Sequence, residues 1–154
     1  MTEINFYVSK EQGLENRMAV VYRLIQRALQ RKLAIHIHTD SELTSTKLDD
    51  YLWSKEATSF IPHCVVDVNE KSIHESSEKA EIDEKINEIS ISHDFEPLTN
   101  CDYLINLSNQ RPAFFSRFSK VAEILDNNEE IITAGRKRYS FYRDRGYTLG
   151  YYKL

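Results

Sequence analysis

Glycine is scarce in this sequence. Gly13, Gly135, Gly146 and Gly150 are the only four among 154 residues, and they are spaced too far apart to write either G-x-G-x-x-G or G-x-x-x-x-G-K-[ST], the backbone cradles that hold nucleotide phosphates. The two cysteines, Cys64 and Cys101, lack CxxC spacing and read as free thiols. No apolar run approaches the roughly 18 residues that a membrane span requires. The opening Met-Thr-Glu-Ile-Asn-Phe has neither the basic nor the apolar region of a signal peptide. These absences predict a soluble, cytoplasmic protein. A basic excess is missing too: the net charge of -4 excludes a uniformly basic nucleic-acid binder. The charge is unevenly spread. Acids outnumber bases from Asp67 to Asp102, whereas from Arg136 to Lys153 the only acid is Asp144, against Arg136, Lys137, Arg138, Arg143, Arg145 and Lys153.

What is present suffices for one core. At 41% hydrophobic residues, residues 1–154 read as a single domain. Ile4 to Val8 is a first strand. Leu14, Met18, Val21, Ile25 and Ala28, widened by Leu24 and Leu29, mark a core-facing helix. Leu33 to His38 is a second strand; Thr39-Asp-Ser then caps a helix with Leu43, Leu48, Tyr51 and Leu52, running to about Trp53. Cys64 to Val68 is a third strand or an edge segment, and the polar stretch from Asn69 to Asn87 is an exposed loop. Glu88 to Ser92 and Tyr103 to Leu107 are further strands. A short helix opens at Pro112, Val121 to Leu125 is a last strand, and a helix capped by Asn127 or Asn128 ends by Gly146. Strand and helix in alternation predict an α/β fold, a Rossmann-like open three-layer sheet without its nucleotide-binding loop.

Catalytic chemistry finds no foothold in the pattern. His36 and His38 share one face of a strand, but no carboxylate or thiolate motif completes a metal set. His63 and Cys64 are adjacent on extended chain and point to opposite faces, which separates a nucleophile from its base. No carboxylate pair stands out. The expectation is no catalytic residue, cofactor or metal. Two features remain. Trp53, at a helix end, and Phe60, before Ile61 and Pro62, are large apolar groups that either pack in the core or anchor a partner. On the C-terminal helix Arg136, Tyr139 and Arg143 stand at i, i+3 and i+7 on one face, which either is a solvated basic face or holds an anionic, aromatic ligand. Base stacking on Tyr139, Phe141, Tyr142, Tyr147, Tyr151 and Tyr152 is a further possibility for single-stranded DNA, opposed by the net charge.

The ordered set Leu52-Trp53, Ser59-Phe60-Ile61-Pro62-His63, Arg111-Pro-Ala-Phe-Phe with Phe118, Val121-Ala-Glu-Ile-Leu125, and Arg136-Lys-Arg-Tyr139-Ser-Phe-Tyr142-Arg143 with Gly146-Tyr147 resembles the chi subunit family of bacterial DNA polymerase III over nearly the whole chain. The resemblance implies a non-enzymatic clamp-loader accessory subunit. One surface would bind the psi subunit, or a helicase-like protein competing for it, through Trp53, Phe60, Ile61 and Pro62. A second would bind the acidic, phenylalanine-ending tail of single-stranded DNA-binding protein through Leu125, Arg136, Tyr139, Ser140 and Arg143. Ser140 stands where the family usually has lysine, and Ile132 at another basic position; Lys137, Arg138 and Arg143 are the charges expected to compensate. The resemblance implies no direct DNA binding and no membrane.

Overall fold

The computed structural model describes residues 2–55, 64–65, 89–93 and 102–154. Its elements are β1 (Glu3–Val8), α1 (Leu14–Gln30), β2 (Ile35–Thr39), α2 (Glu42–Lys55), β3 (Cys64–Val65), β4 (Ile89–His93), β5 (Tyr103–Asn106), a 3-10 turn (Phe115–Arg117), β6 (Lys120–Leu125), α3 (Glu129–Asp144) and β7 (Thr148–Lys153). The strands form a 7-stranded sheet in the order β3-β4-β2-β5-β6-β1-β7, and every neighbouring pair is parallel. This is the α/β, Rossmann-like arrangement expected from the alternation of elements.

Side-chain parity sorts the core into two layers. On one face Ile35, Ile37, Ile89, Ile91, Ile105 and Ile124 pack with Met18, Val21, Leu24 and Ile25 of α1 and Leu48 and Leu52 of α2. On the other, Ile4, Phe6, Val8, Leu104, Val121 and Leu125 meet Phe115, Phe118 and Tyr142. The central strands are covered on both sides, as parallel strands require. The α1 stripe falls where its periodicity puts it, with Val20 also buried.

Several boundaries move for local reasons. Leu33 and Ala34 are not strand, because α1 ends in a Schellman turn: Lys32 N–H bonds to Leu29 O at 3.0 Å, Leu33 N–H to Ala28 O at 3.1 Å, and Lys32 takes a left-handed φ of 58°. The same turn closes α3, with Gly146 at φ 82° and Tyr147 N–H on Tyr142 O at 3.1 Å. Leu43, one of the residues that mark α2 in the sequence, is 64% exposed, one turn ahead of the contact made by Leu48 and Leu52. Cys64–Val65 is an edge strand on β4, and residues 66–68 of that predicted strand lie outside the described residues. The sequence reading ends its strands at Leu125, yet β7 follows α3 and pairs with β1. No described helix is long and apolar enough to cross a membrane.

Candidate functional site

The C-terminal helix is held at both ends and along its inner face. Asn128 is the N-cap, its Oδ1 accepting from Glu130 N–H at 2.9 Å, and Glu129 and Glu130 suit the positive end of the helix dipole. Asp126, just before it, accepts Asn128 N–H at 2.7 Å and Gly13 N–H at 2.9 Å, and forms an ion pair with Arg17 at 3.4 Å. This ties the start of α3 to the start of α1. From the inner face Arg138 Nε donates to Glu123 Oε1 at 2.9 Å and Tyr142 O–H to Glu123 Oε2 at 2.7 Å. Asn106 Nδ2 also donates to Glu123 Oε1, at 2.8 Å. Glu123 is fully buried in the middle of the sheet. Burial pushes its carboxyl above the usual range, while Arg138, Tyr142 and Asn106 pull it back. Burial and the neighbouring Glu123 carboxylate both drive the Tyr142 phenol up, which keeps it a donor.

With its inner face so fixed, α3 turns Ile132, Gly135, Arg136, Tyr139 and Ser140 toward a cleft of about 490 Å³ whose other walls are Phe6, Leu125 and Tyr151 from β1, β6 and β7. Gly135 makes the close approach possible: a β-carbon there would stand 2.6 Å from Leu125 Cδ1. The Tyr139 ring leans on Phe6, centroids 5.3 Å apart, so its position is set by the core. Arg136 is exposed and Tyr139 and Ser140 half-buried. Chemically this is an apolar trough with a guanidinium at its rim and no acid among its lining residues. It fits a flat apolar side chain attached to an anion.

The structure therefore brings together Leu125, Arg136, Tyr139 and Ser140, on the grounds of one cleft. Arg143 does not line it; it is exposed and meets Asp144 at 3.3 Å. Arg138 corrects the expected ring of compensating charges, because it points inward, 4% exposed, committed to Glu123. Ile132 supplies apolar wall where the family's basic residue would stand. Trp53 falls in the last turn of α2, its side chain outside what is described; Phe60, Ile61 and Pro62 lie outside the described residues altogether.

The other candidates resolve into structure. His36 is fully buried, with Nδ1 at 2.7 Å from Ser90 Oγ and Nε2 at 2.8 Å from Ser92 Oγ. Both ring nitrogens are thus occupied, and burial, with His38 beside it, lowers its pKa to about 3. No group of metal-ligating side chains occurs among the described residues. The aromatic series does not form a stacking row: Tyr142 is fully buried, and Phe141 is clasped by Arg111 and Arg145, whose Cζ atoms lie 3.6 and 4.2 Å from its ring centroid. Sequence reasoning missed Glu123, and it placed neither Phe6 nor Tyr151 in the cleft. The signal for Glu123 was available, an acid alone in the apolar run Val121-Ala-Glu-Ile-Leu125.

The family described as DNA polymerase III chi subunit, HolC, matches residues 1–150. The DNA polymerase III subunit chi of Pseudomonas aeruginosa is 31% identical over 154 residues, covering 100% of this chain and 98% of that protein. Among solved structures, T4 UvsW superposes with a TM-score of 0.69 at 10% identity, over 99% of this chain and 41% of the UvsW chain. The second domain of a DEAD-box helicase bound to an RNA duplex superposes at 0.65 and 11% identity, over 99% of this chain and 64% of that one. At such identities the two structures speak for the fold alone.

Proposed function

This chain belongs to the DNA polymerase III chi subunit family, and on that premise we propose that it is a non-catalytic, single-domain subunit of the replicative holoenzyme in the bacterial cytoplasm. It bridges psi, and through psi the clamp loader, to the acidic C-terminal tail of single-stranded DNA-binding protein during DNA replication. The observation that carries the reading is the cleft beside α3, whose apolar walls Leu125, Phe6 and Tyr139 end at the Arg136 guanidinium. A terminal phenylalanine presents the complementary pair, a phenyl ring and a carboxylate on one residue. The carboxylate hydrogen-bonded to Arg136 contributes roughly 1.5–3 kcal/mol, and burial of the ring roughly 2–3 kcal/mol. Association and ordering costs offset much of that. The binding expected is on the order of micromolar and salt-sensitive, suited to a contact that is released and remade as a fork moves.

Trp53 with Phe60, Ile61 and Pro62 forms the proposed second surface, for psi or a helicase-like competitor. Desolvated aromatic anchors should hold that contact in salt. The first reading is tested by calorimetry with a short peptide ending in Asp-Ile-Pro-Phe. Wild type is expected to bind, and Arg136→Ala and Tyr139→Ala to bind several-fold more weakly. A folded wild type that ignores the peptide, with or without added salt, defeats the assignment.

A further inference from the structure

Among the described residues, the strand that follows α3 leaves one row of backbone groups unused beside the cleft. Among the described residues β7 is the last strand of the sheet. Leu154 N–H bonds to Val8 O at 2.9 Å, and Lys153 lies opposite Val8. In a parallel ladder each residue turns both its backbone groups to the same side, and the sides alternate along the strand. Thr148, Gly150 and Tyr152 therefore face β1, and Leu149, Tyr151 and Lys153 direct N–H and C=O to the open edge. Tyr151 is 48% exposed, and its side chain is also a wall of the cleft. Edge and cleft thus meet at one residue.

Exposed edges are usually blunted by proline, by a bulge or by several charges. β7 has none of these beyond Lys153, and it runs in unbroken register for all 6 residues. The segment from Arg136 to Lys153 carries a single acid, Asp144. Resting on the peptide reading of the cleft given above, we propose that an acidic peptide whose terminal phenylalanine sits in the cleft continues as an added strand along β7, its upstream backbone bonded to Tyr151 and Lys153. The cleft then reads the terminus, while the edge takes main chain and is indifferent to which acidic residues precede it.

The test compares a ten-residue acidic peptide ending in Asp-Ile-Pro-Phe with its last four residues alone, by fluorescence anisotropy on the purified full chain. The longer peptide is expected to bind about tenfold more tightly, the equivalent of one or two net backbone hydrogen bonds. N-methylation of one alternate set of upstream amides should abolish that gain, and methylation of the other set should leave it, since charge is the same in both. Lys153→Pro, which removes an outward N–H at an edge position that tolerates proline, should weaken the longer peptide beyond the effect of Lys153→Ala and leave the shorter one unchanged. Equal losses from both methylated sets, or equal binding of the two lengths, overturn the added strand while the cleft reading stands. Absence of binding by either peptide overturns both.

Discussion

Replacing Gly135 by alanine sets two opposed effects against each other at the closest contact of the cleft. In a helix interior the change normally stabilises by about 0.8–1.0 kcal/mol, because glycine loses more backbone freedom on folding. Here the new methyl would stand 2.6 Å from Leu125 Cδ1 and 2.9 Å from Cδ2. Leu125 is 3% exposed and packed against the layer that holds Phe6 and Phe118, so it yields only by entering the cleft or lifting α3. Overpacking of this kind costs about 1–3 kcal/mol. The overpacking wins, and Gly135→Ala should lose about 1 kcal/mol net, seen as a fall of about 2–4 °C in melting temperature for a chain of this size. It should also weaken the terminal-phenylalanine peptide, because either movement reshapes the wall that meets the ring. A double-mutant cycle isolates the cause. In a Leu125→Val background both δ-carbons are gone, and there Gly135→Ala should become stabilising. A variant more stable than wild type with Leu125 intact, or equal effects in the two backgrounds, would refute the reasoning.

Two further outcomes follow from buried groups. Glu123→Gln leaves the Arg138 guanidinium, 5% exposed, without its counter-charge, and should cost about 3–5 kcal/mol in urea denaturation; Glu123→Met with Arg138→Met and Tyr142→Phe should recover most of it, because the charges leave together and only Asn106 Nδ2, which still donates to Gln110 O, loses one partner. His36, with its pKa lowered from 6.5 to about 3, stays neutral in the fold and is protonated in the unfolded chain below 6.5. Its contribution is therefore complete above about pH 6.5 and lost as pH falls toward 3, at about 1.4 kcal/mol per unit. Between pH 7 and 5 wild type should lose about 2 kcal/mol more than His36→Gln, and equal losses would show that His36 does not titrate in this window.

How far the fold was legible depended on how many layers a residue's signal had to cross. α1 and β1 announce themselves, since one apolar face meets one layer. Asn128 was recognisable because a cap is a local hydrogen bond. β7 was not, because Tyr147-Thr-Leu-Gly-Tyr-Tyr-Lys has no clean alternation: Leu149 and Tyr151 face α3 only partly covered, and Tyr152 stacks on Tyr7 at 5.3 Å across the other face. An edge strand buries too little to write a period. Arg138 was misread for the opposite reason. In sequence it is one of three consecutive basic residues, and only the position of Glu123 on β6 shows that the middle of the sheet claims it. Helical spacing put Arg136 and Tyr139 on one face and family resemblance added Leu125 and Ser140, whereas Phe6 and Tyr151 entered the cleft through strand order, which no spacing in the chain encodes.

The same strand order explains why a sheet of this class places its cleft at the margin. In dinucleotide folds the phosphate sits on the N–H groups that open the first helix after β1. Here that end of α1 is occupied from within: the Asp126 carboxylate, whose side chain is 1% exposed, accepts the Gly13 N–H at 2.9 Å. A phosphate approaching the same amide would have to displace the Asp126 carboxylate, which Arg17 already pairs at 3.4 Å, and would find no neighbouring glycine to let the backbone close around it. The carboxylate that closes this position also accepts Asn128 N–H and so fixes the angle at which α3 leaves β6. One residue thus takes up the amide that an anion would use at the start of α1 and sets the helix on whose outer flank, with Arg136 at its rim, the proposed anion site lies.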